Sequence, residues 1–125
     1  MTTNRRTEPF RYDLVEPASF ELYILSINGN NVPSKPVSAL LHDISRSGCR
    51  LSLLLNMQAE QNQIRVGMEM VLHEEPIYLE GTLKWNFEKD SRFHYGVQLD
   101  IPEHDRDRLP RELRLLAGER KIIVR

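Results

Sequence analysis

Two sets of residues in this chain have side chains that could grip a ligand. The first is the run Asp43-Ile44-Ser45-Arg46-Ser47-Gly48, in which a carboxylate, a hydroxyl and a glycine stand at spacings of two and three. Asp43 and Ser45 are short enough to hydrogen-bond either nearby backbone or a bound molecule, and Gly48 can take positive φ or let another group come close. The second set is Arg5, Arg6 and Arg11, near the start of the chain. A guanidinium offers a planar fork of donors that fits a phosphate or the edge of a guanine better than a point charge does. Asp, Ser and Gly also compose ordinary turns, so the turn alone does not establish a site.

The elements around the turn must be strands. Val37, Ala39 and Leu41 alternate with more polar neighbours before it, and Cys49, Leu51, Leu53 and Leu55 alternate with Arg50 and Ser52 after it. From Ala18 to Ile27 the even positions Phe20, Leu22 and Ile24 give a first strand, and Asn28-Gly29-Asn30 a tight turn. Met68, Met70 and Leu72 pattern a fourth strand. Ile77, Leu79, Leu83, Trp85 and Phe87 form the inner face of a fifth, with Gly81 leaving room for a bulge or a close approach. Phe93, Tyr95, Val97, Leu99 and Ile101 form the sixth, and core packing is expected for Trp85 and Tyr95. Six strands with short turns and no intervening helix make an antiparallel barrel or sandwich.

Residues 102–118 change period. Leu109, Leu113 and Leu116 fall at helical spacing, Pro110 suits a first turn and Gly118 is placed as a C-terminal cap, giving a short amphipathic helix over one barrel mouth. The apolar middle of Lys121-Ile122-Ile123-Val124-Arg125 is either an edge strand or a contact for a partner.

At 125 residues and 40% hydrophobic content the chain has the size of one domain with one core. A formal net charge of −1 argues against a general nucleic-acid binder. The lone Cys49 cannot form an internal disulfide and reads as a small core side chain. With no apolar leader in Met-Thr-Thr-Asn-Arg-Arg and no membrane-length apolar run, a cytoplasmic setting is expected. His42, His73, His94 and His104 lie in separate segments without the spacing of a metal site, and no phosphate-cradling glycine loop occurs. An enzyme is not expected, nor a metal or cofactor.

The arginines followed by Asp43, Ser45 and Gly48 resemble the PilZ domain family, whose signatures are an RxxxR motif before the first strand and a [D/N]xSxxG turn. The likeness extends to Gly81-Thr82-Leu83-Lys84-Trp85, to Tyr95-Gly96-Val97-Gln98-Leu99 and to the closing helix. The resemblance implies an all-β fold, a six-stranded antiparallel barrel with a short C-terminal α-helix. It divides the chain into a flexible arginine-bearing segment, residues 1–13, and a barrel domain, residues 14–125. It further implies a bacterial, non-enzymatic receptor for cyclic di-GMP, bound by Arg5, Arg6, Arg11, Asp43, Ser45 and Gly48. Such a receptor acts as a monomer or homodimer and relays its state to a separate downstream protein, with no nucleic-acid or membrane partner. Arg6 and Arg11 stand five positions apart, one more than RxxxR has. That spacing leaves a second function open, a PilZ-type interaction module that does not bind nucleotide. Arg46 and Arg50 flank the turn; Arg50 alternates outward and reads as a solvated side chain.

Overall fold

The computed structural model describes residues 11–33, 35–101, 107–119 and 121–124. Seven strands precede the helix: β1 (Tyr12–Ile27), β2 (Asn30–Asn31), β3 (Val37–Ile44), β4 (Gly48–Leu53), β5 (Ile64–Val71), β6 (Pro76–Lys89) and β7 (Arg92–Asp100). The helix α1 (Arg108–Gly118) and a last strand, β8 (Ile122–Val124), follow. The order β1-β3-β4-β7-β6-β5 returns to β1 through a second pairing, so six antiparallel strands close a barrel. Closure satisfies the backbone donors and acceptors that an open sheet would leave at its edges. The segment after Lys121 is an edge strand, β8, antiparallel to Tyr12–Leu14.

β1 turns a corner to serve several partners. Asp13 pairs with Asp43 and Ala18 with Leu41, so five steps along β1 match two along β3. Pro17, which has no N–H to give to a ladder, sits in that bulged interval. Tyr12 and Asp13, which the sequence assigns to the arm, therefore lie in a strand.

The period-two pattern puts Leu22, Leu41, Leu51, Leu53, Val66, Met68, Leu83, Tyr95 and Val97 inside, all buried. Each large aliphatic side chain so buried contributes about 1.5–3 kcal/mol. Leu109, Leu113 and Leu116 join the same core from one face of α1. Arg108 donates to the Pro76 carbonyl and His73 Nδ1 lies 3.2 Å from Glu119 Oε1, fixing both ends of the helix near the β5–β6 turn. Gly118 is the last helical residue rather than the cap. The Glu119 N–H closes the helix by donating to the Leu115 and Leu116 carbonyls at 3.2 and 3.1 Å.

Asn28 and Gly29 both take positive φ, 52° and 86°, as a two-residue hairpin turn of the mirror-image type requires. Tyr95, fully buried, carries its hydroxyl to the end of β4. It accepts from Met57 N–H at 2.7 Å and donates to the Leu55 carbonyl at 2.6 Å. Tyr95→Phe leaves both groups without that partner and is expected to cost about 1–3 kcal/mol in urea unfolding, with the m-value unchanged.

One inward expectation is overturned. Leu83 pairs with Val97 but Trp85 with Gly96, a two-against-one bulge that moves every later residue of β6 to the opposite face. Trp85 and Phe87 consequently point outward, each 41% exposed. Tyr95, on β7, has no such slip before it and packs inside as expected.

Candidate ligand-binding site

The Asp43 turn begins where the β3–β4 ladder ends at the Ile44–Cys49 pair. Ser45, 1% exposed, uses its hydroxyl on the turn itself. Its Oγ accepts from the N–H groups of Ser47 and Gly48 at 3.3 and 3.1 Å and donates to the Gly48 carbonyl at 3.3 Å. Ser45 N–H also donates to the Gly48 carbonyl at 2.7 Å. Gly48 is absent from the positive-φ positions. Its role is close approach, because a Cβ there would stand 2.8 Å from the Val97 carbonyl oxygen.

Arg11 reaches this turn from far away in sequence. The pairing of Tyr12 with Ile44 and of Asp13 with Asp43 sets it beside β3. Its Nη1 lies 2.5 Å from Asp43 Oδ1, while Arg50 Nε donates to Asp43 Oδ2 at 3.1 Å. Asp43 is 4% exposed. A carboxylate withdrawn from water needs such compensation. Arg50 is thus no solvated side chain: a second N–H meets His94 Nδ1 at 3.2 Å. The structure brings Arg11, Asp43, Ser45 and Gly48 together; Arg5 and Arg6 lie outside the described residues.

Beside this cluster is a cavity of about 410 Å³, lined by Arg11, Ser47, Gly48, Lys84, Trp85 and Gln98 among others. Trp85 lies flat over Gly96, where any Cβ would fall inside the indole. Behind it the rings continue in a row. Trp85 stacks on Phe87 at 5.6 Å, Phe87 on His94 at 5.1 Å, and His94 meets His42 at 4.9 Å. Trp85 was missed as a site residue because strict alternation carries no sign of a bulge. Its one trace in the sequence is Gly96, a strand glycine that only a covering ring explains.

The row of rings is held uncharged. Burial, then the neighbouring Arg50, His94 and Arg92, lower the His42 pKa to about 4. Ser52, fully buried, accepts from Arg92 Nε at 2.9 Å and lies 2.7 Å from His42 Nε2, to which its hydroxyl can donate. Burial raises the Cys49 thiol to about 12, which removes it as a nucleophile. Among the described residues no three metal-ligating side chains converge. Cations, a flat indole and a glycine-lined wall suit a planar anionic ligand, held without covalent chemistry.

Trp85 is the single tryptophan of the chain. A ligand filling this cavity is expected to change its emission, because the indole forms part of the lining. A saturating titration monitored at tryptophan emission checks this; an unaltered spectrum at full occupancy would place the ligand elsewhere.

A six-stranded barrel with an arginine and an aspartate at a β3–β4 turn defines a small ligand-binding module. The PilZ domain model matches residues 5–115, and the chain belongs to that family. PilZ domains are non-enzymatic cyclic di-GMP binding modules. In fold the chain is similar to the Bacillus subtilis inhibitor of motility, MotI/DgrA, with a TM-score of 0.62 at 18% identity. The match covers 94% of this chain and 54% of the other, so this chain spans about half its length. No curated protein matches the sequence. Among the described residues no helix is long and apolar enough to cross a membrane.

Proposed function

We propose that this protein is a cyclic di-GMP receptor whose site is formed by Arg5, Arg6, Arg11, Asp43, Ser45 and Gly48, and that it passes its ligand state to a separate protein. The observation that carries the reading is the meeting of Asp43 with Arg11, which itself lines the cavity beside the turn. In the bound state Arg11 exchanges its carboxylate for the ligand's phosphate or guanine edge. Asp43 then accepts from the guanine N–H groups, while Ser45 and Gly48 keep the turn in shape. A good bidentate guanine contact is worth about 1–3 kcal/mol, or roughly 5- to 150-fold in affinity. An irregular arginine pair that forfeits one such contact weakens the site by that factor.

The coupling to a partner runs through β1. Arg11 adjoins Tyr12–Leu14, which pairs with β8, and the Val15 N–H donates to the Lys121 carbonyl at 3.0 Å. Movement of Arg11 off Asp43 is thereby transmitted to the C-terminal strand and to α1. The test is competition at Trp85: cyclic di-GMP should alter its emission saturably, whereas GTP and cyclic di-AMP at the same concentration should not. Equal responses to all three, or no response together with no calorimetric binding of cyclic di-GMP, would contradict the receptor reading. In that event the interaction-module function remains, and partner binding would be unaffected by Arg6→Ala and Arg11→Ala.

A further inference from the structure

Among the described residues, Asp43 is gripped by Arg11 and Arg50, which are not equivalent. Arg11 stands ahead of β1 and lines the cavity. Arg50 lies within β4, opposite Asp43 of β3 and Gly96 of β7, and does not line the cavity. Its guanidinium divides its donors between Asp43 Oδ2 at 3.1 Å and His94 Nδ1 at 3.2 Å. An arginine has no acceptor and stays protonated, so His94 Nδ1 accepts and the ring proton sits on Nε2. His94 is itself 6% exposed, with the Phe87 ring parallel to it at 6° on one side and His42 on another.

We propose that Arg50 is a positioning residue for Asp43: it stays on the carboxylate when Arg11 leaves for the ligand, keeping Asp43 aimed, and His94 holds Arg50 in that place. This rests on the cyclic di-GMP reading of the site. The physical reason is charge balance. A buried carboxylate that loses a cation is left with an uncompensated charge, and turning toward water to recover solvation would carry its oxygens away from the guanine. Arg11 cannot neutralise Asp43 and bind the ligand with the same donors. A second cation anchored on a rigid strand lets the first one move. The stack of His94 between Phe87 and His42 fixes the acceptor that sets the Arg50 rotamer, the kind of second layer that keeps a contact within a few tenths of an ångström.

Calorimetric titration of the intact chain with cyclic di-GMP tests this, using Arg50→Ala, Arg50→Lys, His94→Phe and the Arg50→Ala/His94→Phe pair. His94→Phe keeps the ring stack and removes the acceptor. Arg50→Ala is expected to weaken binding about tenfold or more, the scale of one lost charge-assisted contact. Arg50→Lys, which keeps a cation but cannot reach both partners, should recover part of that, a rescue that mere packing would not give. His94→Phe should cost about threefold, and the double variant should bind no more weakly than Arg50→Ala, because His94 acts through Arg50. Should Arg50→Ala fail to fold, Arg50→Lys and His94→Phe carry the test, with both expected below wild type. Wild-type affinity in Arg50→Ala, or losses that multiply in the double variant, would overturn the proposal while leaving the receptor reading intact. A wild-type chain that takes up no cyclic di-GMP would overturn both.

Discussion

Asp43→Ala should weaken cyclic di-GMP binding by about a hundredfold or more, because it removes the proposed guanine acceptor and leaves Arg11 and Arg50 facing each other. It should also lower stability. Breaking a fully buried ion pair costs about 3–5 kcal/mol. Here the two arginine side chains are 34% and 31% exposed, so water recovers much of their solvation. A loss of about 1–2 kcal/mol, near 5 °C in melting temperature, is the expected size. Arg11→Ala should reproduce most of the binding loss with a smaller change in melting, since Arg50 remains on the carboxylate. Thermal melts and titrations of both variants separate the two effects. Equal melting of Asp43→Ala and wild type would mean that the pair contributes nothing to folding.

The second large effect is a loss of stability in mild acid. The His42 pKa is lowered from 6.5 to about 4 by burial and by Arg50, His94 and Arg92, with Asp43 opposing. Below pH 6.5 the unfolded chain takes up a proton there that the folded chain refuses. The contribution of neutral His42 is therefore complete above 6.5 and is lost progressively as pH falls toward 4. Discounted for partial solvent contact, the span is worth about 1–2 kcal/mol. His94 is lowered in the same direction, by burial first and then by Arg50, Lys89 and Arg92 against Asp90. Melting temperature should thus drop by roughly 5 °C between pH 7 and pH 5, and His42→Gln should flatten that slope. An unchanged slope in His42→Gln would assign the acid sensitivity to other groups.

Much of the fold was legible because one physical signal, alternation, dominates a small barrel. Ala39, Leu41, Cys49, Leu51, Leu53, Val66, Met68 and Met70 are buried where period two puts them, while Ile44 and Ser52 are buried out of phase, and Leu109, Leu113 and Leu116 mark the helix by period 3.6. What alternation could not express is a break in phase. The bulge at Leu83–Trp85 depends on how β6 meets β7 across the barrel, a long-range demand that leaves no local mark. It turned Trp85 and Phe87 outward and put Trp85, expected in the core, into the lining of the cavity. Arg50 was misread for a related reason: its outward position was correct, but its partners, Asp43 and His94, come from two other strands. The turn residues were legible by type. Their division of labour was not, since only the coordinates show Ser45 spent on the turn and Gly48 chosen for closeness to Val97 rather than for positive φ.

Arg11 and Asp43 form one half of the proposed cyclic di-GMP site. Isothermal titration of the intact chain with cyclic di-GMP, beside Arg11→Ala, tests that most directly. Saturable heat in the wild type, weakened tenfold or more in Arg11→Ala, is the predicted result. A folded wild-type chain that gives no heat up to millimolar ligand, or an Arg11→Ala variant that binds equally well, would contradict it.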